Sequence, residues 1–127
     1  SVEVKRLFQS DMANYIARAE LVKKAEFIDG IYAVSVSDKS IDRAIAAQAA
    51  DDLMNISGVA GSFVLFPFED SISISARSLG RINVQLIMEK LGGGGHFTTA
   101  GAQLSGKTMQ EAVSLLKDAI MVYNYEQ

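Results

Sequence analysis

The sequence predicts an α/β protein: a mixed β-sheet containing a β-hairpin, flanked by helices. Three observations carry this. The stretch Ser71 to Arg77 alternates strictly, with Ile72, Ile74 and Ala76 on one face and Ser71, Ser73, Ser75 and Arg77 on the other. A run of β-forming residues, Ile31 to Ser37, starts without polar interruption, as a strand buried on both faces does. The segments between and around these carry apolar residues at helical spacing, in the order helix, strand, helix, hairpin, helix, strand, helix. With 127 residues, 49% of them hydrophobic and 21% charged, the chain has enough apolar material for one domain with a sizeable core.

Ser10-Asp11 precedes Met12, Tyr15, Ile16, Ala19, Val22 and Phe27, a pattern expected for an N-capped amphipathic helix ending at Asp29-Gly30. Its Arg18, Lys23 and Lys24 read as a solvated face rather than a phosphate patch. Ser40 is the expected cap of a second helix whose Ile41, Ala44, Ile45, Ala49 and Leu53 recur at helical spacing. The adjacent Asp51 and Asp52 lie about 100° apart on such a helix, so they do not form a shared metal site and are expected in solvent. Gly58 and Gly61 break the chain before the hairpin formed by Ser62–Phe68 and Ser71–Arg77. Pro67 has no N–H to give a ladder, which places it at a sheet edge or at its strand's end. Asn83 is a plausible N-cap for a helix from Val84 to Leu91 with Leu86, Ile87 and Leu91 buried and Gly92 at its C′ position. Ala100 to Ser105 reads as a strand of small residues. Thr108 and Glu111 have capping-box spacing ahead of Ala112, Val113, Leu116, Ile120 and Tyr123, one face of a last helix.

The most unusual stretch is Gly92-Gly93-Gly94-Gly95-His96. Each glycine costs roughly 0.5–1 kcal/mol of order relative to alanine. Four in a row therefore imply positive φ or an approach closer than a Cβ allows, and the expected visitor is a ligand. Linkers alternate glycine with serine, whereas this run lies between an apolar helix and a small-residue strand. Its N–H groups are expected to form an anion nest beside the chain's one histidine. The loop leaves a helix C-terminus, whose partial charge repels anions. A phosphate would therefore be held by loop N–H groups, His96, Arg77 or the hydroxyls of Thr98 and Thr99. Arg77 is either a surface arginine or the end of this hydroxyl-lined binding stripe.

Other chemistry is excluded. The formal charge of −3 gives no general attraction to nucleic acid. Cysteine is absent, so there is no disulfide or zinc-thiolate site. No apolar run approaches the ~20 residues of a membrane span. There is no Asp-x-Asp, no second histidine and no Gly-x-Ser-x-Gly, so no metal or nucleophile is assembled here and the residues present are binding groups. The chain begins Ser1-Val2-Glu3 and is expected to be a piece of a longer protein, holding half of an active site.

Gly92-Gly93-Gly94-Gly95-His96, together with Ser75-Ala76-Arg77-Ser78, resembles the C-terminal DHH-associated domain of the DHH-type phosphoesterases. The longer run from Ser75 through Leu79-Gly80-Arg81-Ile82-Asn83-Val84-Gln85 and Ile87-Met88-Glu89-Lys90-Leu91 to His96 is similar to the cyclic-di-AMP phosphodiesterases of the GdpP type. The resemblance covers residues 30–127, and it implies that residues 1–29 are the linker helix from an upstream catalytic domain. It implies that the upstream DHH domain carries two manganese ions and the reaction, cyclic di-AMP to pApA, while this domain holds the nucleotide and is inactive alone. By position, Arg77 would contact phosphate with Ser75 or Ser78 in support; Gly93, Gly94 and Gly95 would admit the nucleotide; and His96 would bind a phosphate oxygen, with Thr98 beside it. Thr98-Thr99-Ala100-Gly101 stands where the family pattern has Thr-Asn-Ala-Ala. Members of this type are membrane-anchored, which would put this domain on the cytoplasmic side without membrane contact of its own. Alternatives are the associated domain of an oligoribonuclease or 3′-phosphoadenosine-phosphate phosphatase, and an RNA-binding module. A homodimer is left open.

Overall fold

The computed structural model describes residues 2–127, apart from the side chains at positions 2–4, 7 and 8. In chain order the elements are α1 (Val2–Lys23), β1 (Glu26–Ile28), β2 (Tyr32–Val36), α2 (Arg43–Met54), β3 (Gly61–Phe68), β4 (Ser71–Ser78), α3 (Val84–Glu89), β5 (Gly94–Gly95), β6 (Thr99–Ser105) and α4 (Met109–Glu126). The strands form one six-stranded sheet in the order β1-β2-β3-β4-β6-β5. Only β2 and β3 pair in parallel, joined by the α2 crossover, so the sheet is mixed as expected.

Each face of the sheet has its own core. On one side Tyr32, Phe63, Leu65, Ile74 and Ala76 meet Val84, Ile87 and Met88 of α3 and Leu116, Ile120 and Tyr123 of α4. On the other, Ala33, Val64 and Phe66 meet Ala46, Ala49, Ala50 and Leu53 of α2 and Leu21 of α1. Strand β2 is therefore buried on both faces, and the hairpin has the predicted register, Phe63 opposite Ala76 and Leu65 opposite Ile74. Pro67 is the penultimate residue of β3, beyond the last residue paired with β2. Two buried serines tie the layers: Ser35 Oγ donates to Leu21 O (2.6 Å) and Ser62 Oγ to Ala50 O (2.7 Å).

Several local expectations are corrected. Ser10 and Asp11 do not cap α1 but lie exposed within it, where a polar side chain that faces water does not compete for backbone hydrogen bonds. The helix stops at Lys23, and Phe27 pairs with Ala33 in a short hairpin closed by Asp29 and Gly30, both at positive φ. Asp42, not Ser40, caps α2: its carboxylate accepts from Ala44 N at 2.9 Å. In α3, Asn83 is the cap, but the buried residues are Val84, Ile87 and Met88, while Leu86 is exposed. The capping box of α4 is complete, with Thr108 N donating to Glu111 Oε1 (2.8 Å) and Glu111 N to Thr108 Oγ1 (3.1 Å).

Candidate functional site

Because β4 alternates, every residue of its polar stripe stands behind a core residue. Helix α2 packs over β3 and β4 on this side of the sheet and leaves a cleft between itself, the polar stripe of β4 and β6. The result is a cleft of about 790 Å³, lined by Ser73, Ser75 and Arg77 of β4, Thr99, Gly101 and Gln103 of β6, Gly92 and Gly93 of the loop, and Arg43 and Ala47 of α2. That is within the usual range for a small-molecule site.

The floor is built in rows by strand register. Arg77 stands opposite Thr99, Ser75 opposite Gly101, and Ser73 opposite Gln103. Arg77 lines the cleft rather than an open surface: its side chain is only 17% exposed, its Nε is 3.2 Å from Asp51 Oδ1, and its Nη1 donates to Ala76 O at 2.8 Å. Asp52, the adjacent acid, holds Arg18 of α1 through two contacts of 2.8 and 2.9 Å. This pair holds the Arg18 guanidinium above its usual value, the hydrogen bond to Asp52 being the largest cause. Asp51 is exposed as expected and Asp52 is half-buried, but both carry arginine partners, and Arg18 is not simply part of a wet helix face.

The glycine run works differently from the expectation. A Cβ at Gly93 would run into Gly101 O and come within 2.6 Å of the Ala102 Cβ; one at Gly95 would come within 2.6 Å of Ala100 Cα. Strand β6 approaches these two residues this closely, and Gly94–Gly95 adds the edge strand β5, so packing accounts for both glycines. A Cβ at Gly94 would meet nothing within 4 Å. Three N–H groups of the expected anion nest already have partners in the chain: Gly92 N is bonded to Glu89 O, Gly93 N to Met88 O, and His96 N to Thr99 O.

The structure thus brings Ser75, Arg77 and Gly93 into one cleft. Gly94 and Gly95 pair along its border, and exposed His96 is tied by its backbone to Thr99, in Arg77's row. Ser78 falls on the opposite face, buried, with its hydroxyl donating to Ile82 O at 2.6 Å, so it does not support Arg77. Thr98 lies beside it, its carbonyl accepting from Ser78 N, and is not in the cleft lining; Thr99 is the threonine there. Sequence reasoning missed Arg43, whose guanidinium lies 4.2 Å from the Phe68 ring centre, and Gln103, which the two-residue period from Gly101 would have revealed.

Among the described residues there is no group of three metal-ligating side chains, and no helix long and apolar enough to cross a membrane. One buried side-chain group there lacks a partner, the hydroxyl of Ser73. Leaving it so costs roughly 1–3 kcal/mol.

Comparison with known proteins agrees with this architecture. The DHHA1 domain family matches residues 29–121. The chain is 45% identical over 126 residues to the cyclic-di-AMP phosphodiesterase GdpP of Geobacillus thermodenitrificans and 44% identical to the cyclic-di-AMP phosphodiesterase PdeA of Listeria monocytogenes, matching along 97% of its own length in each case. It spans 19% of the length of each of these relatives. An exopolyphosphatase-related protein from Bacteroides fragilis shares the fold, with a TM-score of 0.76 at 22% identity over 87% of this chain and 34% of that one. The chain belongs to the DHHA1 domain family and is closely related to the corresponding part of the cyclic-di-AMP phosphodiesterases.

Proposed function

We propose that this chain is the nucleotide-holding part of a cyclic-di-AMP phosphodiesterase, with hydrolysis of cyclic di-AMP to pApA carried out in a cleft completed by an upstream DHH domain. The observation that carries this is Arg77, a partly buried guanidinium oriented by Asp51 at the end of a hydroxyl-lined cleft of dinucleotide size. A planar, preoriented guanidinium suits a phosphodiester oxygen. The residues present do not fit the two manganese ions of the reaction, which belong to the upstream domain in this reading. Residues 1–29 then connect to that domain, and the parent is membrane-anchored with this domain on the cytoplasmic side. His96, exposed beside Arg77's row, faces the catalytic partner.

The test is a titration of the isotope-labelled chain with cyclic di-AMP and with pApA, followed by NMR. Shifts at Arg77, Ser75, Gly93 and His96 are expected, and Arg77→Ala should remove them. Shifts confined to other surfaces would overturn the reading, and manganese-dependent production of pApA by this chain alone would overturn its dependence on the upstream domain.

A further inference from the structure

The site described so far accounts for the phosphate and not for the base. Among the described residues five serines are buried: Ser35, Ser37, Ser62, Ser73 and Ser78. Four of them donate to a main-chain carbonyl, of Leu21, Lys39, Ala50 and Ile82 respectively. Ser73 is 4% exposed and its hydroxyl has no partner among the described residues. It is also the buried serine that lines the cleft. In the next row Ser71 and Ser105 face each other at 3.3 Å, so the polar stripe is satisfied on that side.

Directly across the ladder from Ser73 is Gln103, whose exposed amide also lines the cleft. Directly opposed residues have Cβ atoms about 4.5–5.5 Å apart, so one planar base can touch both. Ser73 is four residues from Arg77 on the same face, about 13 Å at strand rise, which is the scale of one nucleotide from phosphate to base edge. Between them the middle row carries Gly101 opposite Ser75, so no bulky side chain obstructs the path.

We propose that Ser73 and Gln103 form a nucleobase subsite that reads an adenine edge while Arg77 holds the phosphate of the same nucleotide. The inference rests on the nucleotide reading above. A glutamine amide pairs with adenine by donating to N7 and accepting from the N6 amino group. Guanine presents two acceptors on that edge, so the amide oxygen would oppose O6. Ser73 supplies one more hydrogen bond, to a ring nitrogen, and gains the partner it lacks.

The experiment titrates the labelled chain with pApA, pGpG and ribose 5-phosphate, following the Arg77 Nε–H, the Gln103 side-chain amide and the Ser73 backbone amide. Ribose 5-phosphate should shift Arg77 alone. The dinucleotide pApA should shift all three and bind about tenfold more tightly than pGpG, a preference that Gln103→Glu and Ser73→Ala should each reduce. Ser73→Ala should leave the thermal midpoint unchanged or raised, because it deletes an unpartnered hydroxyl. A lowered midpoint would make Ser73 structural and overturn the subsite. Arg77 shifts without Gln103 shifts, at equal affinity for the two dinucleotides, would overturn the subsite and leave the phosphate reading standing. No Arg77 shift with any of the three would overturn both.

Discussion

Arg77 Nε lies 3.2 Å from Asp51 Oδ1, so the cleft's guanidinium is held by a carboxylate of the helix beside it. Arginine has five N–H donors, and an anion can be added without displacing that acid. One residue further on, Asp52 grips Arg18, so consecutive acids of α2 hold α1 and the arginine of the cleft.

The two acids should separate on substitution. Asp52→Asn breaks a bidentate pair whose side chains are about one-third exposed and is expected to cost about 0.5–1 kcal/mol in urea unfolding, less at high salt. Asp51 is 64% exposed, and Asp51→Asn should change stability by under about 0.5 kcal/mol. It should nevertheless speed exchange of the Arg77 Nε–H in NMR spectra. An unaltered Arg77 signal would mean that Asp51 does not orient it.

Neighbouring glycines should respond oppositely. Gly93→Ala forces a Cβ against Gly101 O and Ala102 and is expected to cost roughly 1–3 kcal/mol in chemical denaturation. Gly94→Ala meets open space at an ordinary φ and should be neutral or stabilising by about 0.4–1 kcal/mol. Equal losses at both would contradict the close packing of the loop on β6.

The capping box should leave an acid signature. The Thr108 backbone N–H, followed by its hydroxyl contact, holds the Glu111 carboxyl below its ordinary value. A depressed carboxyl contributes stability that is present above the ordinary glutamate value and lost as pH falls through the lower folded value. Stability measured across that window should fall more steeply for the native chain than for Glu111→Gln.

At the alkaline end Tyr32 has the opposite sign. Burial, with Tyr123 and Asp29 nearby, pushes its hydroxyl above the ordinary tyrosine value. The neutral form is favoured on folding, so its contribution is complete below about pH 10 and lost as pH rises through the folded value. Tyr32→Phe should be less stable at neutral pH, having lost the bond to Asn124, yet show a flatter alkaline decline.

The hairpin, the double burial of β2 and the α4 cap were legible because period and capping chemistry are local. Arg77 and Ser75 were legible for the same reason: alternation alone puts them on one face. The assignment of Ser78 failed because it extended a motif by adjacency, whereas the strand turns each next residue to the other side. The packing role of Gly93 and Gly95 was not legible, because composition tells that something comes close, not that it is the neighbouring strand. Asp51, Arg43 and Gln103 needed the sheet order and the placement of α2, which no local pattern carries.

Strand β4 has a consequence for how this domain can vary. Ser73, Ser75 and Arg77 are interleaved with Ile72, Ile74 and Ala76, so cleft surface and core are written into one segment in alternate letters. Replacements can tune either set separately. A single-residue insertion or deletion between Ser71 and Arg77 cannot, since it would turn the serines inward and the isoleucines outward together. Length variation should therefore be confined to the segments between strands, and the spacing from Ser73 to Arg77 inherited as a unit.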